Sequence, residues 1–218
     1  MSDVPAAAKP TKFGMVLFDG FELLDVFGPL DTLFMLSKEA PIELHVIAQS
    51  MDPVTSKIKS HPLAIGTQTV PTTTFDTAPD DLDVLIVPGG RGTRELEETQ
   101  CIVDFVSKTF PKLKYLLTVC TGSAVVARTG ILDGKNATTN KRSWDWATSQ
   151  GPKVNWVHQA RWVVDGNIYT SSGISAGIDM FFAFVQDVYG KELADQCALA
   201  QEYIRNTDPD NDPFARKS

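Results

Sequence analysis

The sequence predicts an α/β protein, a doubly wound sandwich whose mostly parallel sheet carries helices on both faces. Residues 83–90 (DVLIVPGG) and 115–119 (YLLTV) form almost continuous apolar runs, which is typical of strands covered on both faces of a parallel sheet. Segments with helical spacing of apolar residues follow such runs, so strand and helix alternate along the chain. The 218 residues, 43% of them hydrophobic, are enough for one domain with a sizeable core.

The first part of the chain begins with a strand and a helix. An apolar run at residues 13–20 closes in Asp-Gly, as a strand that enters a turn does. Residues 21–37 carry apolar side chains at helical spacing, and Pro29 is expected to interrupt the early part of that helix. A second strand is predicted at residues 42–48, and after a polar segment a weaker strand pattern covers residues 63–70.

The rest of the chain repeats the alternation. A helix is predicted at residues 95–109, and the buried strand that ends at Val119 is followed by a helix at residues 121–129, closed by Gly130. The remaining predicted elements are short strands at residues 136–139, 161–164 and 168–171, and helices at residues 175–189 and 192–205. We therefore expect one domain over residues 12–205.

The flanking segments and the composition disfavour several classes of protein. Residues 1–11 are predicted to be a disordered tail, and residues 206–218 a turn-rich tail on the surface. With 27 acidic against 20 basic residues, the net charge of −7 argues against nucleic acid as a partner. No apolar run is long enough to span a membrane, and the N-terminus has no apolar leader. Three cysteines without paired spacing favour neither disulfides nor a metal site, which fits the cytoplasm.

Cys120 is the strongest candidate for chemistry. It stands where a buried strand ends and a helix begins, and in open α/β sheets functional sites gather at the carboxyl ends of strands. A helix N-terminus offers free N–H groups and a partial positive charge that favour a thiolate, so Cys120 is predicted to be a nucleophile. Cys101 and Cys197 fall on helical patterns away from such turns, and we expect both to be inert apolar side chains.

Gly89 and Gly90 end the other buried strand, at the same edge of the predicted sheet as Cys120. Glycines at a strand end often serve only to allow positive φ. If their loop passes beside the cysteine, the N–H groups of Gly90 and Thr121 can donate to a negative atom that develops on a substrate. The sequence therefore raises the hypothesis of an oxyanion hole at this edge.

Asp25 is the candidate proton donor. It lies near the start of the first helix among apolar neighbours, where burial would raise its pKa and let the carboxyl hold a proton. An acid in the first turn of a helix is also commonly only a partner of the helix dipole, and Asp19 and Glu22 are competing candidates. The three histidines stand in no clear relation to Cys120, so general base catalysis by histidine is not expected.

Five segments carry a family resemblance, namely FGMVLFDGFELLDVFGPLD, DVLIVPGG, TVCTGS, LDGKNATTN and GISAGID. This set, spread over most of residues 12–205, resembles the ThiJ/PfpI superfamily and within it the isonitrile hydratase-like branch. The resemblance implies a flavodoxin-like core, a homodimer, and a cysteine matching Cys120 on a strained nucleophile elbow close to an acid matching Asp25. It implies neither a metal nor an organic cofactor.

The resemblance also implies a reaction and a pocket. In isonitrile hydratases the cysteine attacks the isonitrile carbon, the acid protonates it, and water releases an N-substituted formamide, so a small molecule is the expected partner. Gly89, together with Gly173 and Ile174 of the GISAGID segment, would line the pocket. Asn140 would also line it and departs from the branch, which commonly has histidine in an Ala-Thr-Thr-His motif. This departure leaves the substrate open.

Two other functions are alternatives. Related family members are glutathione-independent glyoxalases that often carry a histidine beside the nucleophile, where this chain has Thr121, and this difference disfavours that activity. A non-catalytic redox-sensing or ligand-binding protein is the alternative from a different class, because an accessible thiol of low pKa oxidises readily. No helix-turn-helix pattern follows the core, so direct regulation of DNA is disfavoured.

Overall fold

A seven-stranded sheet forms the centre of the computed structural model, which describes residues 8–61 and 63–215. The strands are β1 (Lys12–Val16), β2 (Glu43–Ala48), β3 (Val54–Thr55), β4 (Gln68–Thr69), β5 (Thr73–Thr74), β6 (Val84–Val87), β7 (Tyr115–Thr118), β8 (Asn136–Ala137), β9 (Asn155–Trp156), β10 (Trp162–Asp165) and β11 (Ile168–Ser171). The α-helices are α1 (Leu23–Leu36), α2 (Gln100–Thr109), α3 (Gly122–Ala127), α4 (Trp144–Ser149), α5 (Ser175–Tyr189) and α6 (Lys191–Ala200). The order in the main sheet is β10-β11-β7-β6-β1-β2-β5.

Parallel pairing dominates the main sheet. Only β10 and β11 pair in antiparallel fashion within it. The chain moves outwards from β1 to β2 and then returns to the other side of β1 for β6 and β7, which is the doubly wound arrangement. The predicted fold class, a flavodoxin-like doubly wound sandwich, is confirmed. The strand order reverses between β1 and β6, where such sheets form a crevice at their carboxyl edge.

The core lies between the sheet and two groups of helices. Helices α1, α5 and α6 pack against one another, while α2 contacts α3 and α3 contacts α4. All four residues of β6 are buried, as a strand covered on both faces should be. On α5, the ring of Phe184 lies 5.3 Å from that of Tyr115 and 5.5 Å from that of Tyr169, which joins this helix to β7 and β11.

Two glycines let α5 approach the elements that carry the site. A Cβ atom at Gly177 would lie 2.3 Å from Val119 Cγ1, directly before Cys120. A Cβ atom at Gly28 of α1 would lie 2.6 Å from Ile178 Cγ1. Both separations are below van der Waals contact, so a larger residue at either position would force the side chain of Val119 or Ile178 to shift and would weaken this close packing of α5.

Two helices near the site differ from their predicted form. The expected interruption at Pro29 is wrong, because α1 runs without a break from Leu23 to Leu36. Proline removes one N–H donor, but burial of Val26 and Leu33 on the core side holds the helix together. Helix α2 begins at Gln100 and not at residue 95, since the chain first forms a 3-10 turn at Arg91–Arg94.

Helix α6 ends at Ala200, five residues before the predicted end. Glu202 adopts φ of +50°, and the N–H of Tyr203 donates to the carbonyl of Ala198 at 2.9 Å. This left-handed residue with a bond back over five residues is a Schellman-type end, here without the usual glycine. Because Glu202 stands at the position where glycine usually ends a helix, the sequence did not indicate the end of α6.

Several short strands differ from prediction. In the predicted strand at residues 63–70 only β4 forms, and it pairs with β3, which was not predicted. The side chains of Leu63 and Ile65 are 98% and 93% exposed, so their apolar character does not mark a buried strand. The predicted strand at 136–139 is reduced to β8, which pairs with the unpredicted β9 outside the main sheet, and β5 was also missed.

Both flanking segments pack in part against the domain. Residues 1–7 and 216–218 lie outside the described residues. Pro10 is buried and its carbonyl accepts the hydroxyl of Tyr189, so the expected disorder is wrong at this position. Asp212 is 3% exposed, and the expected surface position of residues 206–218 is wrong there. None of the helices in residues 8–61 and 63–215 has the length and hydrophobicity needed to cross a bilayer.

Candidate active site

The turn from β7 to α3 holds Cys120 in a strained backbone conformation. Its φ is +56°, in the left-handed region that residues other than glycine rarely adopt. The N–H of Cys120 donates to the carbonyl of Ser172 at 3.1 Å, and its carbonyl accepts the hydroxyls of Ser123 at 3.1 Å and Thr139 at 3.0 Å. These bonds fix the residue on both sides and hold it against a strain of about 1 to 2 kcal/mol.

The loop after β6 packs directly against this turn and against α1. A Cβ atom at Gly122 would lie 2.2 Å from the carbonyl oxygen of Val87. A Cβ atom at Gly89 would lie 2.5 Å from the nitrogen of Thr121 and 2.9 Å from Oδ2 of Asp25. Gly89 therefore packs tightly between the Cys120 turn and the Asp25 carboxyl. It leaves no room there for a larger residue or for substrate, so its predicted place in the substrate pocket is not supported.

Three N–H groups favour a thiolate on Cys120. The side-chain amide of Asn140 donates to Sγ at 3.1 Å. It lowers the pKa of the thiol, as do the backbone N–H groups of Thr121 and Ile174. Ile174 adopts φ of +48°, which is unusual for a β-branched residue, and this strained conformation accompanies the approach of its N–H to the sulfur.

Asp25 is fully buried in the first turn of α1, on the other side of the Gly89 loop. Burial raises its pKa to about 7, against the opposing effect of the Gly89 N–H, which donates to Oδ2 at 2.9 Å. The charge of Glu22 raises the pKa further, and the neighbouring thiol of Cys120 lowers it. In the described residues Oδ1 has no hydrogen-bond partner, so it is the free oxygen of this carboxyl.

Cys120 and Asp25 titrate as a pair because the protonation state of each affects the pKa of the other. Burial is the largest cause that raises the pKa of the Cys120 thiol, and the negative charge of Asp25 is the second. The three N–H donors reduce but do not cancel these effects. Above neutral pH the pair therefore holds one proton, which either the carboxyl or the sulfur can carry.

Gly90 lies at the site, but its N–H does not point freely at a substrate. It donates to the Thr121 hydroxyl at 3.0 Å, and the hydroxyl of Thr93 donates to the same oxygen at 3.1 Å. The hypothesis of a free Gly90 donor is therefore contradicted by this geometry. The backbone N–H of Thr121 lowers the pKa of the Cys120 thiol, and its hydroxyl accepts the N–H of Gly90.

The competing candidates lie elsewhere. Asp19 is exposed and accepts the N–H of Thr55 at 3.1 Å. The thiol of Cys101 donates to the carbonyl of Glu98 at 3.3 Å, and Cys197 is buried in α6. No histidine hydrogen-bonds the Cys120 sulfur in residues 8–61 and 63–215, and no cluster of three or more His, Cys, Asp or Glu side chains there is placed to hold a metal.

Asn140 has a fixed orientation beside the sulfur. Its Oδ1 accepts the N–H of Ser143 at 3.1 Å, which turns the NH₂ group towards Cys120. The ammonium of the next residue, Lys141, donates to the carbonyl of Ala160 at 2.9 Å and lies 3.4 Å from Asp212. Burial lowers the pKa of Lys141 to about 8. This buried ion pair anchors the Asn140 loop to the C-terminal segment.

A cavity of about 250 Å³ lies beside Asn140, the residue whose side chain contacts the sulfur. Its lining includes three predicted pocket residues, Asn140, Gly173 and Ile174. It also includes Phe214 from the C-terminal segment, which no sequence motif indicated. A Cβ atom at Gly173 would lie 2.5 Å from Nδ2 of Asn140, so glycine is required for Asn140 to reach the sulfur.

Comparison with known proteins identifies the family of this chain. Residues 11–187 match the DJ-1/PfpI family, which is more than half of the chain. The chain belongs to the DJ-1/PfpI family. The predicted resemblance to the ThiJ/PfpI superfamily is confirmed, and with it the part of the resemblance that concerns the fold.

Three similar proteins bear on function and fold. The isonitrile hydratase of Pseudomonas putida is 36% identical over 88% of this chain and 78% of its own length. The HTH-type transcriptional regulator GbdR of Pseudomonas aeruginosa is 28% identical over 92% of this chain, which spans 52% of that regulator. The crystal structure of a ThiJ/PfpI family protein from Pseudomonas syringae superposes with a TM-score of 0.77 at 28% identity, covering 94% of this chain and 83% of that one.

Proposed function

We propose that this chain hydrates an isonitrile to an N-substituted formamide, with Cys120 as nucleophile and Asp25 as proton donor. The observation that carries the proposal is the buried Asp25 carboxyl, with a pKa of about 7, beside a cysteine on a strained elbow. The 36% identity to the isonitrile hydratase of Pseudomonas putida supports this reaction over others that the family contains.

The first step joins the sulfur to the terminal carbon of the isonitrile. In the one-proton state of the pair, the thiolate of Cys120 attacks that carbon while Asp25 delivers its proton to the same carbon. The product is a thioimidate, R–N=CH–S–Cys, and Asp25 becomes a carboxylate. Oδ1 of Asp25 is the oxygen free for this transfer, since Oδ2 accepts the N–H of Gly89.

The second step uses water to release the product. The Asp25 carboxylate takes a proton from water as the oxygen adds to the thioimidate carbon, and passes this proton to the nitrogen, which gives R–NH–CH(OH)–S–Cys. As the C–S bond of this adduct breaks, the Asp25 carboxylate takes the hydroxyl proton, so that R–NH–CHO is released and the Cys120 thiolate and the protonated Asp25 are restored. The N–H groups of Thr121, Ile174 and Asn140 stabilise the departing thiolate, as they do in the free protein.

A glyoxalase reaction would need a further group that moves a proton between two carbons. The side chains beside the sulfur are Asn140, an amide that does not titrate, and Thr121, whose hydroxyl is bound to the Gly90 loop. Asp25 would have to perform every proton transfer alone. The geometry therefore supports hydration of an isonitrile better.

The test is turnover by the purified protein with three reagents in parallel. Benzyl isocyanide should give N-benzylformamide, whereas methylglyoxal should give no lactate. Lactate without formamide would replace the hydratase proposal by the glyoxalase alternative. Oxidation of Cys120 at low peroxide without turnover of either compound would instead favour a redox sensor.

The pH dependence of kcat/KM follows from the titration of the pair. Because burial raises the pKa of Asp25 to about 7, the reactive one-proton state is gained as the pH rises through about 7. We expect kcat/KM to increase roughly tenfold per pH unit below 7 and to level off above it. Initial rates of formamide release between pH 5 and 9 measure this profile, and a flat profile would contradict it.

The exposed face of α1 supports the proposal of a homodimer. Leu24, Phe27 and Phe34 are 48%, 41% and 58% exposed on this helix, and together with Ile178 and Tyr203 they line a groove of about 580 Å³. Exposed apolar patches of this kind mark sites of protein association. The groove lies on the same helix as Asp25, so association there would also stabilise the position of the acid.

Replacement of Phe34 by glutamate is expected to convert the dimer into a monomer, because a charge on this apolar face cannot be solvated within a close contact. Sedimentation velocity of wild type and variant measures this directly. Val164→Glu, on the edge strand β10, is the matched control and should leave the dimer intact. A wild-type protein that sediments as a monomer would refute the dimer.

A further inference from the structure

Arg94 is held in a defined position beside the active site. It ends the 3-10 turn at Arg91–Arg94 that follows the Gly90 loop, and the neighbouring Thr93 hydroxyl ties that turn to Thr121. The guanidinium carbon lies 4.3 Å from the centre of the Trp146 ring, and one terminal nitrogen donates to Ser143 Oγ at 2.9 Å. Because Trp146 and Ser143 both hold the guanidinium, Arg94 is preorganised to bind a ligand.

A short chain of contacts connects Arg94 to the sulfur. Ser143, which accepts from Arg94, donates its backbone N–H to Oδ1 of Asn140, and Nδ2 of Asn140 donates to Sγ of Cys120. Arg94 is also close enough to the sulfur that a thiolate charge raises its pKa, against the larger lowering effects of burial and of Arg91. The guanidinium is therefore linked to the nucleophile through two residues, Ser143 and Asn140.

The positive charge of Arg94 has no carboxylate partner in the part of the chain that the structure describes. Two other arginines that are buried or half-buried form ion pairs, Arg161 with Asp179 and Arg205 with Asp195. The remaining nitrogens of Arg94 are not among the buried polar atoms that lack a partner, so solvent or a ligand reaches them. A partly desolvated cation without a counter-charge can bind an anion when its nitrogens are accessible.

We propose that Arg94 binds an anionic group of the substrate, so that the preferred substrates are isonitriles that carry a carboxylate. The choice of an isonitrile as substrate rests on the proposed function, whereas the binding of an anionic group by Arg94 does not. The planar guanidinium matches a carboxylate in shape and charge. Arg94 is thus a specificity-determining residue, and the stacked Trp146 and the Ser143 hydroxyl are its positioning residues.

Alkylation of Cys120 tests the anion site without any hydration of isonitrile. Iodoacetate and iodoacetamide are nearly equal in size and differ in charge, and peptide mapping by mass spectrometry follows Cys120 alone. We expect Arg94→Gln to lower the ratio of the iodoacetate rate to the iodoacetamide rate by about fivefold or more. Asp25 repels iodoacetate equally in wild type and in Arg94→Gln, so this repulsion does not affect the comparison of their rate ratios.

Two further variants separate charge recognition from a structural role. Arg94→Lys keeps the charge and should recover much of the wild-type ratio, while Arg91→Gln removes an exposed arginine of the same turn and should change it little. A purely structural role of Arg94 would change both alkylation rates together and leave their ratio constant. A constant ratio in Arg94→Gln overturns the inference.

Turnover then identifies the substrate class. Potassium isocyanoacetate and methyl isocyanoacetate form a matched pair with and without the charge. We expect wild type to prefer the carboxylate in kcat/KM, and Arg94→Gln to lose about tenfold with the carboxylate, mainly through KM, and little with the ester. Equal losses with both compounds overturn the inference. If neither compound is hydrated while the alkylation ratio still falls in Arg94→Gln, the proposed hydration fails and the anion site stands.

Discussion

Replacement of Cys120 by alanine is expected to lower formamide production from an isonitrile by about three orders of magnitude or more, because no other group in the site can form the thioimidate. Alanine keeps the β-carbon, so the elbow and its φ of +56° face the same steric limits as in the wild type. The variant therefore removes the sulfur and little else. Initial rates of formamide release by purified wild type and variant give the comparison.

Cys101→Ala is the matched control for this experiment. Cys101 is also a free cysteine, but it lies on α2, where its thiol donates to the carbonyl of Glu98, just before the helix begins. Its loss should leave formamide production close to that of the wild type. A Cys120→Ala variant that works at the wild-type rate would show that the chemistry takes place elsewhere.

Asp25→Asn is expected to slow formamide production by about 10² to 10⁴ fold, which is the usual contribution of a positioned general acid. Asparagine keeps an oxygen that can accept the N–H of Gly89, but it cannot transfer a proton to the isonitrile carbon. The rise in kcat/KM near pH 7 should also disappear. Retention of full activity would mean that another group supplies the proton.

A second measurement on Asp25→Asn should move in the opposite direction. The charge of Asp25 raises the pKa of the Cys120 thiol, so its removal lowers that pKa and increases the thiolate fraction above neutral pH. Alkylation of Cys120 by iodoacetamide at pH 8 should therefore be faster than in the wild type. General damage to the site would not combine lost turnover with a more reactive thiol.

The same substitution is expected to change stability with a definite sign. Asp25 has a pKa of about 7 in the folded protein, raised above the value of about 4 in an unfolded chain. The stability of the wild type relative to Asp25→Asn is therefore greatest below pH 4 and falls as the pH rises to 7. Above pH 7 the variant should be more stable by up to about 4 kcal/mol, measured by urea unfolding.

The sequence predicted the elements whose local pattern and tertiary environment agree. The apolar runs of β6 and β7 are buried as expected, and α5 and β11 have the predicted bounds. The two-residue strands β3, β5 and β9 were missed because segments this short have no periodicity, and distant partners decide whether they pair. The continuous α1 shows packing overriding the local effect of Pro29.

The candidate site could be predicted only as far as topology fixes it. The carboxyl ends of parallel strands meet at one edge, and this rule alone brings Cys120, Gly89 and the segment of Asp25 together. The direction of each N–H could not be predicted from the sequence. The N–H of Gly90, which was expected to be free for a substrate, in fact donates to the Thr121 hydroxyl. The effect of the Ile174 N–H on the pKa of the Cys120 thiol accompanies a φ of +48°, a conformation that isoleucine at this position does not indicate.

If Cys120 and Asp25 together hydrate an isonitrile, loss of either side chain must stop the production of formamide. Benzyl isocyanide and an isonitrile carboxylate are incubated at pH 8 with wild type, Cys120→Ala and Asp25→Asn, and formamide is measured over time. Formamide from the wild type, with little or none from either variant, is the predicted result. Absence of formamide from wild type whose Cys120 still reacts with iodoacetamide would contradict the proposed hydration.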